Sequence, residues 1–141
     1  MSNIVLSSKA FSMEEELQLF AEEWDFTVRK VPEGFVIEPE EMLCIDGINV
    51  EEEAKGWRFW REFDATTWED FLLMHITHHI AAKYGILIEY DLPTGSRLVE
   101  PTPEEFETFD DYAEHVVRKE EGWVKEMKKN WIYTHRTKYI R

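Results

Sequence analysis

Three times in this chain a Ser or Thr stands three residues before a Glu at the head of an apolar-periodic stretch: Ser12 with Glu15, Thr66 with Glu69, and Thr102 with Glu105. In such a helix start the hydroxyl accepts from a free backbone N–H, and the Glu side chain reaches back to the cap residue. The pattern therefore sets three helix origins. After Ser12, residues Met13, Leu17, Phe20, Ala21 and Trp24 fall on one face. The second helix runs to about Tyr84 and stops at Gly85, a residue suited to the left-handed position that ends a helix. The third carries Pro103 at its first position, where a missing N–H costs little. Its apolar stripe is Phe106, Phe109, Ala113, Val116 and Val117, and it ends at Gly122 or continues through Met127.

The stretches between these helices are short and alternate in polarity. Residues 3–6 form one strand. Residues 26–31 and 34–38 flank Pro32-Glu33, which predicts a hairpin. Asp46-Gly47 predicts a second, two-residue hairpin between 42–45 and 48–50, because a type I′ turn needs positive φ at both central residues. Residues 57–63 read as a strand with bulky aromatics on both faces. Residues 86–92 alternate, 93–96 turn, and 97–100 return. Residues 131–140 alternate again near the end of the chain. Strands outnumber helices and are joined by short turns. The expected fold class is α+β: a mainly antiparallel sheet of several short strands with about three helices packed on it, as a single compact domain over residues 1–141.

One cysteine, Cys44, leaves no intrachain disulfide and suits a reducing compartment. No apolar run reaches the length of a membrane span, and the first residues lack a charged leader followed by an apolar stretch. The expectation is a cytoplasmic protein with no membrane partner. Cys44 has no His or Asn beside it in sequence, and a buried strand thiol is its default role. Gly-rich phosphate loops and nucleophile elbows are absent.

Charge is large and unevenly placed. The formal net charge is −14; residues 1–117 hold 27 Asp/Glu against 8 Lys/Arg, whereas residues 118–141 hold 3 against 8. Phosphate contacts need clustered cations, so direct binding to duplex nucleic acid is not expected of the acidic body. Many acids sit in helix first turns, where the helix dipole favours them, or on solvated faces such as Glu14-Glu15-Glu16 and Glu22-Glu23. The acids Glu107, Asp110, Asp111 and Glu114 are different. They crowd one helix away from its apolar stripe and repel one another by a few tenths of a kcal/mol per pair at helical spacing. Trp60, beside Arg58 and Arg61, is a second candidate contact, since an aromatic flanked by cations suits a protein interface or a nucleic-acid base.

His75, His78 and His79 share the second helix, and His75 and His79 lie four apart on one face. That spacing can place two imidazoles on one metal ion, with His115 or His135 as a third ligand. Ile76 stands where a helical metalloprotease pattern needs its Glu. On an apolar helix, buried neutral histidines with hydrogen-bonded nitrogens are the simpler arrangement. His75-Ile76-Thr77 and His135-Arg136-Thr137 also form two His-x-Thr copies. These are similar to the two-histidine phosphoesterase family. The resemblance covers six residues and implies that His75 and His135 act as acid and base on a phosphate while Thr77 and Thr137 steady its oxygens. In that family the copies sit on strands followed by an apolar residue. Here His78 and Lys138 follow, and the first copy lies on a helix.

These features favour a non-enzymatic binding protein without cofactor. It would dock the acidic ridge onto a partner with a basic surface, such as the nucleic-acid cleft of an enzyme. Phage anti-defence and toxin-immunity proteins share its size and charge, a likeness of class and not of family. A phosphoesterase or nucleotide binder on His75, Thr77, His135 and Thr137 is the second reading. A metal-binding module on His75 and His79 is the third. Exposed aromatics and edge strands are compatible with a homodimer.

Overall fold

A computed structural model describes residues 3–39, 47–61, 67–118 and 122–128. In chain order the elements are β1 (Asn3–Leu6), α1 (Met13–Trp24), β2 (Phe26–Val31), β3 (Gly34–Pro39), β4 (Ile48–Glu53), β5 (Gly56–Arg61), α2 (Thr67–Tyr84), β6 (Ile88–Leu92), β7 (Gly95–Val99), a 3₁₀ helix (Pro103–Phe106) and α3 (Phe109–Val117). A further helical segment covers 122–128. The seven strands make one sheet in the order β2-β3-β4-β5-β1-β6-β7, and every neighbouring pair is antiparallel. The fold is α+β.

Topology explains where the helices lie. Strands β2 to β5 form a meander, and β1 is inserted between β5 and β6. Because β5 and β6 both run antiparallel to β1, they are parallel to each other, so the chain between them must cross over the sheet. Helix α2 makes that crossing. Its 18 residues span about 27 Å at 1.5 Å per residue. Residues directly opposed on neighbouring strands share a face, so Phe35, Val50, Phe59 and Ile4 form one row across four strands, with Leu6 and Ile88 beside it. This row meets Leu72, Leu73, Ile76 and Ile80 of α2 and Met13 and Leu17 of α1 in a single core. The helix is buried nearly all round because the sheet lies beneath it and other helices flank it.

Local chemistry sets the boundaries. Ser12 caps α1 by accepting from the Glu15 N–H at 3.3 Å, and Asp25 ends the helix in the left-handed region at φ 53°. Gly85 ends α2 at φ 65°, and the Ile86 N–H donates to the Ala81 carbonyl at 2.8 Å, which is the six-to-one bond of a Schellman cap. A Cβ at Gly85 would meet nothing within 4 Å. Gly85→Ala is therefore expected to cost only the left-handed backbone penalty, about 1 kcal/mol, read as a lower urea midpoint with an unchanged slope.

Three expectations are corrected. The third helix is not continuous. The 3₁₀ turn ends at Phe106, and α3 starts afresh from Thr108, whose hydroxyl accepts from the Asp111 N–H while Asp111 accepts from the Thr108 N–H. Val116 leaves the buried stripe and is 36% exposed. The Asp46-Gly47 hairpin is not how residues 48–50 are paired, because β3 fills one edge of β4 and β5 the other. The tight turn lies instead at Ala54-Lys55, with Glu53 opposite Gly56. Gly56 is required there because a Cβ would come within 2.0 Å of the Leu6 carbonyl oxygen. The strand read over 57–63 is present as β5 through Arg61; its residues 62–63, the partner strand at 42–45, Cys44, the cap residue Thr66 and the strand at 131–140 lie outside the described residues.

Candidate functional site

The three helical histidines are a binding apparatus for the chain's own backbone. His75 is 3% exposed. Its Nδ1 donates to the Phe106 carbonyl at 2.6 Å and its Nε2 accepts from the Trp24 indole N–H at 3.0 Å. These bonds define a neutral ring with the proton on Nδ1. Burial, the larger cause, lowers its pKa, while the bond to Phe106 opposes the shift. His78 is as deeply buried. Its Nδ1 accepts from the Thr102 N–H at 3.0 Å, so its Nε2 carries the proton and donates to Tyr90 Oη at 2.9 Å. Burial pulls this imidazole down to about 4 and pushes the Tyr90 phenol up to about 12. His79 Nδ1 lies 2.8 Å from the His75 carbonyl oxygen, and its Nε2 lies 2.9 Å from Glu107 Oε1. The three rings thus fasten Thr102, Phe106 and Glu107 onto α2, and through Trp24 one of them also holds α1.

This arrangement decides what the histidines offer a ligand. His75 and His79 are close, with ring centroids 4.2 Å apart, but both His75 nitrogens are engaged by Trp24 and Phe106. Among the described residues no group of three or more His, Cys, Asp or Glu could hold a metal ion. Thr77 is fully buried, and its hydroxyl donates to the Leu73 carbonyl one helical turn back, at 2.7 Å. His135 and Thr137 lie outside the described residues.

The acidic ridge is brought together only in part. Glu107 is turned toward His79, and Asp111 is folded into its capping box. Asp110 and Glu114 face solvent, four residues apart on α3, and Glu104 is exposed on the preceding 3₁₀ turn. Glu105 faces inward to Arg118 at 2.7 Å and to His115 at 3.0 Å, and the Arg118 bond, the larger cause, holds its carboxyl below the usual range. The mount beneath the ridge is polar and half-buried. Tyr112 of α3 donates to Asp70 of α2 at 2.7 Å, and Arg61 of β5 donates to the same carboxylate at 2.8 Å. Helix α1 adds a second acidic surface through Glu14, Glu15, Glu22 and Glu23, all exposed.

Trp60 and Arg58 sit elsewhere, on the sheet face opposite the helices. Trp60 is half-buried between its cross-strand neighbours Asn3 and Asn49. Arg58 is bound to Glu53 at 2.9 Å and to Asp91 at 2.8 Å, and these bonds, that to Glu53 being the larger cause, raise its pKa further. Its guanidinium is therefore a cross-strand tie spanning β4, β5 and β6.

Between α1 and α2 runs an open groove of about 500 Å³ floored by Leu19, Phe20, Ile80 and Ala82. Its edges carry Glu23 and the pair Glu16–Lys83. Glu16 corrects the reading of Glu14-Glu15-Glu16 as a wholly solvated face, for it is only 6% exposed and accepts from Lys83 Nζ and Tyr84 Oη. Burial pushes its carboxyl up, but those two bonds outweigh burial and leave it lowered.

Comparison with known protein families, curated proteins and solved structures gives no match. The functional reading therefore rests on these surfaces alone.

Two features of this region escape local sequence patterns in different degrees. Leu19 lies off the apolar stripe of α1 and is 57% exposed, so its departure from periodicity is itself a signal. Trp24 falls on that stripe and so reads as packing, but its indole bond to His75 joins partners 51 residues apart, which no local pattern displays.

Proposed function

We propose that this chain is a non-enzymatic binding protein of the inhibitor or antagonist type, working inside the cell, which docks an acidic helical face onto a basic surface of a partner protein such as a nucleic-acid-processing enzyme. The observation that carries this reading is the placement of exposed acids on the helical layer. Glu14, Glu15, Glu22 and Glu23 of α1 and Glu104, Asp110 and Glu114 of the 3₁₀–α3 segment all face solvent. Lys9, Arg29, Arg58, Arg61 and Lys83 each lie against a carboxylate. A surface so charged raises the local concentration of cationic partners and accelerates encounter. The histidine and Tyr112 fastenings support the same reading, because they hold the ridge on α2 before any partner arrives, and a preorganised surface loses less entropy on binding.

The partner-facing set proposed here differs from the one read in the sequence: Asp110 and Glu114 stay, Glu104 joins them, and Glu107 and Asp111 leave it, the first turned to His79 and the second serving the α3 cap. Glu104→Lys/Asp110→Lys/Glu114→Lys, used as bait beside the wild-type chain in a lysate of the source cell, tests it. Proteins with cationic surfaces should be enriched by the wild type, be released as salt rises to about 0.5 M, and be missing from the triple variant, whose circular dichroism should be unchanged. Enrichment that survives the reversal would sink the ridge.

A further inference from the structure

We infer that two copies of this chain associate reciprocally, the helical segment 122–128 of each lying in the α1/α2 groove of the other. Two exposed apolar features on one chain motivate this. Trp123 and Met127 are four residues apart in a helix, so they share a face, and they are 73% and 54% exposed. The groove presents Leu19, 57% exposed, and the exposed Ala82, together with half-buried Phe20 and buried Ile80. Large side chains left in water in this way mark an interaction surface, and tryptophan is among the residues that most often dominate one.

Charge selects a second copy as the occupant. Along the groove Glu16 and Lys83 pair with each other, which leaves the exposed Glu23 as its acid, whereas the segment 122–128 carries Lys125 and Lys128 against Glu126, and residues 118–141 as a whole hold 8 Lys/Arg against 3 Asp/Glu. Glu23 in the groove and Lys125 in the segment then supply opposite charges to a single contact. Because both halves lie on the same chain, a two-fold arrangement makes the contact twice and closes on itself. The inference does not rest on the acidic ridge, since Asp110 and Glu114 lie on α3, outside the groove lining.

Sedimentation and light scattering of the full chain between about 1 and 200 µM test it. A reversible dimer is expected. Trp123→Ala should weaken it about 30-fold or more, as truncation of a central interface tryptophan does, and Leu19→Glu should do the same from the other side. Both positions are exposed, so circular dichroism should not change. Glu23→Lys or Lys125→Glu alone should weaken it by about two- to fivefold, and the double swap should restore it. A chain that remains monomeric over the whole range overturns the inference, and so does a dimer that ignores both Trp123→Ala and Leu19→Glu. The Glu104/Asp110/Glu114 reversal should leave the dimer intact, so failure of the ridge and failure of the dimer give different results.

Discussion

Replacing His75 by alanine is expected to lower the unfolding free energy by about 3–5 kcal/mol, because two costs fall on one buried side chain. The imidazole fills a pocket bounded by Phe20, Trp24, Phe71 and His79, with ring centroids 4.2–5.5 Å away, so its removal leaves a cavity in a fixed aromatic cluster. It also strands the Trp24 indole N–H and the Phe106 carbonyl, which its two nitrogens satisfy. An unsatisfied buried partner costs about 1–3 kcal/mol. His75→Phe separates the two costs, since it keeps most of the volume and repairs neither bond. Its loss should be about 2 kcal/mol smaller than that of alanine. Urea denaturation of the three proteins measures both. The effect should reach beyond the site, because His75 joins α1 to the 3₁₀ turn through α2. Amides of residues 104–117 should exchange faster in the alanine variant. A loss under about 1 kcal/mol would mean that the histidine is not the fastening described and would return it to the candidates for chemistry.

The same residue shows how far the sequence could be read. A helix apolar almost all round pointed to buried, hydrogen-bonded histidines, and burial is what His75 has. What the spacing could not supply was the partners: the Phe106 carbonyl lies 31 residues away and the Trp24 indole 51. Periodicity reports which face is inside and is silent on which polar atoms meet there. The caps behave likewise. Ser12 opens α1 and its hydroxyl accepts the Glu15 N–H, one half of the two-way cap that the spacing predicted. Thr102 did not open a long helix, because a second signal, Thr108 with Asp111, lies six residues on and takes over. That signal uses Asp where Glu is commoner at the third position, and it competes with the first for the same stretch of chain. His75, His78 and His79 fix the outcome by holding residues 102–107 in place for the break. The hairpin at Asp46-Gly47 fails for a complementary reason. Its turn chemistry is sound and Gly47 does have positive φ, at 62°. Yet β4 is claimed on both edges, by β3 with Ile37 opposite Ile48 and, across the tight turn at Ala54-Lys55, by β5 with Phe59 opposite Val50. Where a turn signal conflicts with pairing that aligns buried rows of side chains, the rows prevail, since register in a one-sided sheet is set by the apolar face.

Acidification should weaken the fold before the carboxylates begin to protonate, with His78 as the chief cause. In the unfolded chain this imidazole titrates near its ordinary value of 6.5, whereas burial holds it to about 4 in the folded protein. Between those two values the unfolded chain binds a proton that the folded chain refuses. Stability therefore rises with pH across that window, is complete above about 6.5, and is lost as pH falls toward 4. The difference in pKa corresponds to about 3 kcal/mol in total, with a slope of at most about 1.4 kcal/mol per pH unit for one group. The neighbours modulate this only in part: Glu105 favours the cation, while His115 and His79 oppose it. His75, also lowered by burial, acts in the same direction. The carboxylates whose folded pKa is depressed, Glu16 and Glu105, add their own loss only below their ordinary value of 4.5, so the upper part of the window belongs to the histidines. Urea midpoints between pH 7.5 and 4 read the effect. The wild-type chain should lose stability steadily from 6.5 downward. His78→Gln should start less stable at pH 7.5, having lost the fit to Thr102 and Tyr90, and should fall less steeply as the pH drops. Equal slopes in the two proteins would show that His78 is not the residue resisting protonation. A wild-type chain equally stable at pH 6.5 and pH 5 would show that neither buried histidine is held neutral by the fold.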